Sequence, residues 1–212
     1  MVMLSITDYY FIPLALFLGA SAHQIGFLIA FPHLLGSIAQ LFAVHLVRIL
    51  GSRLRFLVRA TYLQGIIFVP IALLPLFLIP SRIEIFIVLV VLFRIVGNLI
   101  GTVWGSLTSD YLPPEERGGY FGWRARITGL AGVLGIVFGG MLLFLLKPVS
   151  ESLSFVLLFV FAASMRLTSA NLMSKMQDVT LQPKKEDDFT FFQFLKRFKE
   201  SNFVKFVLWL CT

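Results

Sequence analysis

The sequence predicts an all-α membrane protein in which six helices cross a bilayer and a seventh begins. Hydrophobic residues make up 58% of the 212 residues and charged residues only 14%, whereas an average globular chain carries roughly 25% charged residues. The charged residues divide the chain into apolar runs, and a helix of about 20 such residues spans a membrane. The basic residues also collect on alternate connections between these runs, which is typical of a multi-pass membrane protein.

Six apolar runs and the beginning of a seventh follow one another along the chain. No Asp, Glu, Lys or Arg occurs from Tyr9 to Val47, and that stretch is too long for a single span. The small residues at 19–22 provide a turn within it, so the first span is predicted to end near Leu18. The later spans are predicted at 23–47, 56–79, 83–109, 120–146 and 152–174, before an apolar run that starts at Phe203.

These runs predict three regions of the chain. A six-helix transmembrane bundle covers 1–174, and its first helix, which has only 18 residues counted from Met1, is expected to be truncated. A basic cytoplasmic linker covers 175–202, where Phe191, Phe194 and Phe198 recur at helical spacing and predict a short amphipathic helix on the membrane surface. The same segment is equally well interpreted as the solvated lead-in to the next span. The run 203–212 has half the required length and is interpreted as the start of a seventh helix whose continuation is missing.

The first apolar run could instead belong to a signal peptide, because Ala20-Ser21-Ala22 resembles a small-residue cleavage site. A signal peptide needs a basic region before its apolar core. No Lys or Arg precedes Arg48, so the sequence favours a membrane span.

The basic residues predict the orientation of the spans. Fourteen Lys and Arg residues lie on the even-numbered connections and after span six, whereas only Arg82 and Lys147 lie on the opposite side. Because cytoplasmic loops are enriched in Lys and Arg, we expect these connections and the N-terminus to be cytoplasmic, in a plasma or inner membrane. The net charge of +7 is thereby explained without a nucleic-acid partner.

The composition argues against an enzyme, a metal centre or a bound cofactor. Cys211 is the only cysteine, which excludes an internal disulfide and a cysteine-based metal site. The three histidines do not have the spacing of metal ligands. The carboxylates offer no acid–base pair beyond Glu115-Glu116, which follows a Pro-Pro loop, and no glycine-rich phosphate loop occurs outside the spans.

Charged residues inside the spans are the best candidates for a functional site. Arg94 lies about 12 residues into span four, near the bilayer centre, where a cation costs about 2.5–3.5 kcal/mol and marks function by default. Asn98 follows one helical turn later on the same face. Asp8 in span one lies at a similar depth, so an Asp8–Arg94 ion pair is expected if spans one and four are neighbours. The alternatives are that Arg94 binds backbone carbonyls and that Asp8 is frayed near the chain terminus.

Several stretches of the sequence resemble the major facilitator superfamily. Gly51-Ser52-Arg53-Leu54-Arg55 resembles the basic loop between the family's second and third helices, although Arg48 stands where the family has an aspartate. The stretch 104–124 is similar to the loop that joins helices four and five. Arg94, with Gly97 and Gly101, resembles the arginine and glycines of helix four. The run 135–140 resembles the helix-five motif of antiporters, with Ile136 in place of proline.

The resemblance implies one half of a twelve-helix transporter, with the second six-helix half missing. Two bundles would then rock about a site for a small solute by alternating access, and helices one and four would line the cavity. The expected pathway residues are Arg94, Asp8, Asn98, Gln40 and Trp104. Gln64 in span three is a further, ordinary candidate for the lining of a polar pathway. The expected cytoplasmic gate residues are Arg53, Arg55, Asp110, Arg117 and Arg124. The residues expected to allow helix bending are Gly135, Gly139 and Gly140.

Other functions remain open from the sequence. A six-span permease subunit could act as a dimer or together with an ATPase. A non-transport membrane scaffold would tolerate a neutral residue in place of Arg94, whereas a transporter should lose uptake or change its pH dependence.

Overall fold

The computed structural model describes residues 2–77 and 79–178 of the chain. The chain divides into two compact units, Met1–Val179 and Thr180–Thr212, and the described residues lie in the first unit. The amphipathic helix and the start of the seventh span, both predicted from the sequence, fall outside the described residues.

The described residues are helical almost throughout, and no strand occurs within them. The helices are α1 Val2–Phe17, α2 Ala22–Gln40, α3 Ala43–Leu50, α4 Arg53–Leu73 with a 3-10 extension Leu74–Leu76, α5 Arg82–Tyr111, α6 Pro114–Leu146 and α7 Glu151–Met173. Five of them (α2, α4 with its extension, α5, α6 and α7) are long and apolar enough to cross a membrane. Helix α1 is a shorter apolar helix of 16 residues. The predicted all-helical membrane fold is confirmed.

Three serines and one glycine define the tight connections. Ser21, Ser52 and Ser150 each precede a helix, and each side chain accepts a hydrogen bond from a backbone N–H in the first turn of that helix. Such caps satisfy donors that have no partner within the helix. Gly51 ends α3 with a φ of 65°, a left-handed conformation that glycine adopts without steric cost.

Span two differs from its prediction as one helix over 23–47. It consists of α2 and α3, separated by a tight turn at Leu41 and Phe42, whose N–H groups bond to the carbonyls of Ile38 and Ala39. The turn redirects the chain so that Ala43 and Val47 become buried against α4 and α5. Pro32 lies inside α2 without ending it.

The ends of spans three and five also differ from their predicted limits. Helix α6 begins at Pro114, six residues before the predicted start at Tyr120, because proline is well tolerated in the first turn of a helix. The helical part of span three ends at Leu76, before the predicted limit at 79, and Pro75 lies in its 3-10 extension.

The six spans pack as two sets of three, α1, α2–α3 and α4 in the first set and α5, α6 and α7 in the second. Helix α2 packs against α5 as α6 packs against α1, and α4 packs against α5 as α7 packs against α1. Helices α4 and α7, the third span of each set, pack against each other. In this pattern of neighbours α1 and α5 hold corresponding positions, although α6 also contacts α7, whereas α2 makes no comparable contact with α4.

Two apolar clusters fill the bundle. The first contains the rings of Phe11, Phe68, Phe86, Phe93 and Phe159, which contact one another in tilted, stacked and edge-to-face pairs. The second contains mainly aliphatic side chains from α3, α4 and α5, together with Phe56 and Met173. The turns at 18–21 and 147–150 lie near the first cluster, at what we call the Arg82 end. The turns at 51–52 and 112–113 lie near the second cluster, at the Arg53 end.

Several polar side chains lie at the level between the two apolar clusters, and others bind to them from neighbouring helices. We call this set the polar layer; it consists of Asp8, Gln40, Gln64, Arg94, Asn98 and Arg166. On α4, Gln64 lies between Ala60 of the second cluster and Phe68 of the first. On α5, Arg94 and Asn98 lie between Phe93 and Leu99.

Helices α2 and α6 bury little of their surface. The buried residues of α2 are Leu28, Pro32 and Gly36, and those of α6 are Gly135 and Gly139. Large apolar side chains are exposed along both helices, among them Phe31 and Phe144. Exposed apolar faces of this extent suit a lipid environment or a further helical partner.

Candidate functional site

An ion pair joins the first and fourth spans. Arg94 Nη2 on α5 donates a hydrogen bond to Asp8 Oδ1 on α1 at 2.5 Å. The juxtaposition that the sequence predicted for these two residues is present. Because a lone charge in a membrane is costly, each residue lowers the cost of placing the other at this depth.

The pair lies at a surface of the described unit rather than inside its core. The Asp8 side chain is 48% exposed and the Arg94 side chain 23% exposed, while their neighbours Phe11 and Phe93 are buried.

Gln40 and Asn98, both predicted as pathway residues, bind each other. Gln40 Nε2 on α2 donates to Asn98 Oδ1 on α5 at 2.8 Å, and Asn98 Nδ2 donates to the Arg94 carbonyl at 3.0 Å. The Asn98 side chain lies directly against Gly36 of α2, where a β-carbon would overlap its amide. These contacts fasten α2 to the turn of α5 that carries Arg94.

Gln64 on α4 contacts the same turn of α5. The sequence indicated it only as an ordinary candidate for the lining of a polar pathway. Its side chain is fully buried, and Nε2 donates to the Phe93 carbonyl at 3.0 Å. The signal in the sequence is an amide next to the long apolar stretch 65–79 of span three.

Arg166 is the one charged residue of the predicted span 152–174, and the sequence analysis did not single it out. Its Cγ is 3.9 Å from the position that a β-carbon on Gly65 would occupy, so it lies beside the α4–α7 contact. Its Nε has no hydrogen-bond partner within the described residues. A lone arginine within the apolar run 152–174 was available as a signal.

Trp104 and Arg124, predicted separately for the pathway and the gate, lie together. The guanidinium carbon of Arg124 on α6 is 5.9 Å from the centre of the Trp104 ring on α5. A cation over an aromatic face at this distance is attracted by the ring, so the contact joins α5 to α6 on the side of the Arg53 end.

The predicted gate residues make different contacts: Arg53 and Asp110 form an ion pair, and Arg117 binds backbone carbonyls. Arg53 is 4% exposed; its Nη2 lies 2.6 Å from Asp110 Oδ2, and its Nη1 donates to Ser106 Oγ at 3.0 Å. Arg117 donates to the carbonyls of Ser109 and Leu112, which closes the turn between α5 and α6. The Arg55 side chain is exposed.

Two contacts at the Arg53 end were not predicted. Ser52 Oγ donates to Asp178 Oδ2 at 2.5 Å, and the Tyr111 hydroxyl donates to the Gln177 carbonyl. The segment that leaves α7 is thus bound to the α3–α4 turn and to the end of α5. A carboxylate therefore does reach the basic loop, although it comes from beyond span six rather than from position 48.

The three glycines predicted to allow bending lie where α1 packs on α6. The Tyr10 hydroxyl donates to the Ile136 carbonyl at 2.5 Å, and a β-carbon on Gly139 would lie 2.6 Å from the Tyr10 ring. Gly135 faces Val2, and Gly140 faces the Tyr10 hydroxyl. Close helix packing accounts for these glycines; their role in bending stays a prediction.

The Arg82 end is closed by polar contacts between α1, α2 and α5. Arg82 Nε donates to the Leu18 carbonyl at 3.0 Å, and Gln24 Nε2 donates to Glu84 Oε1 at 3.1 Å. These bonds hold the α1–α2 turn against the start of α5. Within residues 2–77 and 79–178, no group of three His, Cys, Asp or Glu side chains could hold a metal ion.

Comparison with known proteins decides the family. The family model of the Major Facilitator Superfamily matches residues 1–211. The chain belongs to the Major Facilitator Superfamily. Neither the curated proteins nor the solved structures include a significant match to it. Members of this superfamily are transporters that move small solutes across a lipid bilayer, so this chain is a multi-pass membrane protein of a transport family.

Proposed function

We propose that this chain provides the N-terminal half of a secondary transporter that moves a small solute by alternating access. The observation that carries the proposal is the Asp8–Arg94 ion pair, which joins α1 to α5 between two apolar clusters and is partly exposed. A second six-helix half, expected from the family, would complete the cavity.

The pair gives the pathway two complementary binding groups. Asp8 can accept a proton or the cationic group of a solute, and Arg94 can bind a carboxylate or another anionic group. Separation of the two residues leaves both charges unpaired, and this cost is offset only when a ligand or a proton takes the place of the lost partner. Binding and helix movement are thereby coupled.

The polar contacts at the two ends of the bundle supply candidate gates. The Arg53–Asp110 pair holds the beginning of α4 to the end of α5, and the Arg124–Trp104 contact joins α5 to α6. We assign the Arg53 end to the cytoplasm, because the basic residues collect there. This orientation places the N-terminus in the cytoplasm and the protein in a plasma or inner membrane.

Uptake into proteoliposomes that contain the full-length transporter, with both six-helix halves, tests the proposal. We expect Arg94→Ala to reduce uptake of a transported solute by at least about tenfold, because removal of the cation leaves Asp8 without its partner. Arg126→Ala is the matched control, since Arg126 is an exposed arginine on α6 outside the predicted site. A panel of anionic, cationic and neutral solutes identifies the substrate class. Normal uptake of every transported solute by Arg94→Ala would exclude the proposed role.

A further inference from the structure

We propose that Gln64 is a positioning residue that holds the turn of α5 carrying Arg94 in the register that brings Arg94 to Asp8. The proposal rests on the proposed function, in which Arg94 acts in the solute pathway. It gives Gln64 on α4 a specific part in the site, whereas the sequence indicated only that its amide could line the pathway.

The first supporting observation is the hydrogen bond from Gln64 to α5. Gln64 Nε2 donates to the carbonyl of Phe93, the residue immediately before Arg94. Gln64 is fully buried, so its amide has no access to water. A buried donor that loses its acceptor pays the full desolvation cost, which favours one rotational position of α5 relative to α4.

The second observation is the space left by Gly97. A β-carbon at Gly97 would lie 2.7 Å from Gln64 Nε2, closer than such atoms approach. The amide therefore fits against α5 only because residue 97 has no side chain. Gly101, one turn further along α5, has no atom within 4 Å of the corresponding position.

The third observation is that α2 holds the same turn from another direction. Asn98 lies against Gly36 and accepts a hydrogen bond from Gln40. The turn 93–98 is thus held by an amide from α4 and an amide from α2. Arg94 extends from this turn toward α1, where it meets Asp8.

Glutamine is a costly choice for position 64 if only core packing is considered. Gln64 Oε1 is buried and has no hydrogen-bond partner within the described residues. An apolar side chain of similar size would avoid this cost. A residue that departs from the local preference for an apolar core is expected where function requires a specific contact.

The test uses Gln64→Met, which keeps an unbranched side chain of similar volume and removes the donor. We expect the melting temperature of the full chain in detergent to stay unchanged or rise, because the unpaired Oε1 is removed together with the donor. We expect uptake to fall about tenfold, since a small displacement of a positioned group costs up to about a hundredfold.

A glycine series provides the matched control. Gly97→Ala should reduce uptake as Gln64→Met does, because the new methyl group displaces the Gln64 amide. Gly129→Ala on α6 makes the same chemical change where a β-carbon meets no atom within 4 Å, away from the α5 face that carries Arg94, and should leave uptake unchanged. In the Gln64→Ala background, Gly97→Ala should cause no further loss, since the atom that it would displace is absent.

A readout independent of transport separates this proposal from the proposed function. The coupling between Asp8→Asn and Arg94→Gln in melting temperature should shrink in the Gln64→Met background. An undiminished coupling, or a fall in melting temperature that accounts for the whole loss of uptake, would overturn the positioning role. If Arg94→Ala itself left uptake intact, the proposed function would fail, and the coupling measurement would still decide the role of Gln64.

Discussion

Asp8 and Arg94 are each unfavourable alone at their depth in the bundle, and each becomes acceptable through the other. Their side chains lie 86 residues apart in sequence and meet at 2.5 Å. Because both remain partly exposed, solvent weakens their attraction compared with a fully buried pair. The pair is therefore expected to be weaker than a fully buried one.

A double-mutant cycle measures this interaction. We expect Asp8→Asn and Arg94→Gln each to destabilise the protein by about 1–2 kcal/mol, and the double variant to lose less than the sum, because neither charge is then left unpaired. Thermal unfolding in detergent of the four proteins gives the coupling. Additive losses would show that the two residues do not stabilise each other.

At the scale of the helices, glycines determine how closely neighbouring spans approach. Gly36 receives Asn98, Gly97 receives Gln64, and Gly139 receives Tyr10. In each case a polar side chain from one helix lies against a glycine of the neighbouring helix, where no β-carbon blocks its approach. Small residues allow this approach, and the interhelical hydrogen bonds formed there are favourable in an apolar environment.

Gly139→Ala tests the α1–α6 contact. The methyl group would lie 2.6 Å from the Tyr10 ring, and such overpacking is expected to cost about 1–3 kcal/mol of stability. Gly129→Ala in the same helix meets no atom within 4 Å and should instead stabilise by up to about 1 kcal/mol through helix propensity. Melting temperatures that fall equally for both variants would contradict the packing role.

Across the whole molecule, the two ends of the bundle differ in charge. The Arg53 end carries most of the basic connections, and its buried Arg53 binds Asp110. The Arg82 end carries few charges and is closed by bonds from Arg82 and Gln24. Because cytoplasmic loops are enriched in Lys and Arg, this difference in charge predicts that the Arg53 end faces the cytoplasm.

Accessibility labelling in cells tests this orientation. Cys211→Ser removes the one natural cysteine, and single cysteines are then placed at Val149, exposed near the Arg82 end, or at Gly118, exposed near the Arg53 end. A membrane-impermeant maleimide should label Val149→Cys in intact cells and Gly118→Cys only after permeabilisation. The reverse pattern would invert the assigned topology.

The sequence by itself determined the membrane fold, the approximate spans and the two charged residues of the candidate site. Hydropathy and charge are properties of consecutive residues, so runs such as 83–109 and the isolated charge of Arg94 can be read along the chain. The limits of individual helices were less accurate, because the break at Leu41 and the start at Pro114 depend on local turn geometry and on what each helix packs against.

Only the tertiary structure decided which residues meet. The roles of Gln64, Gly97 and Tyr10 depend on the rotation of one helix against another, and that rotation is fixed by contacts between distant segments. Asp178 reaches Ser52 for the same reason, across 126 residues of chain. Apolar patterning specifies that a segment spans the membrane, whereas side-chain shape and hydrogen bonding between helices select the faces that touch.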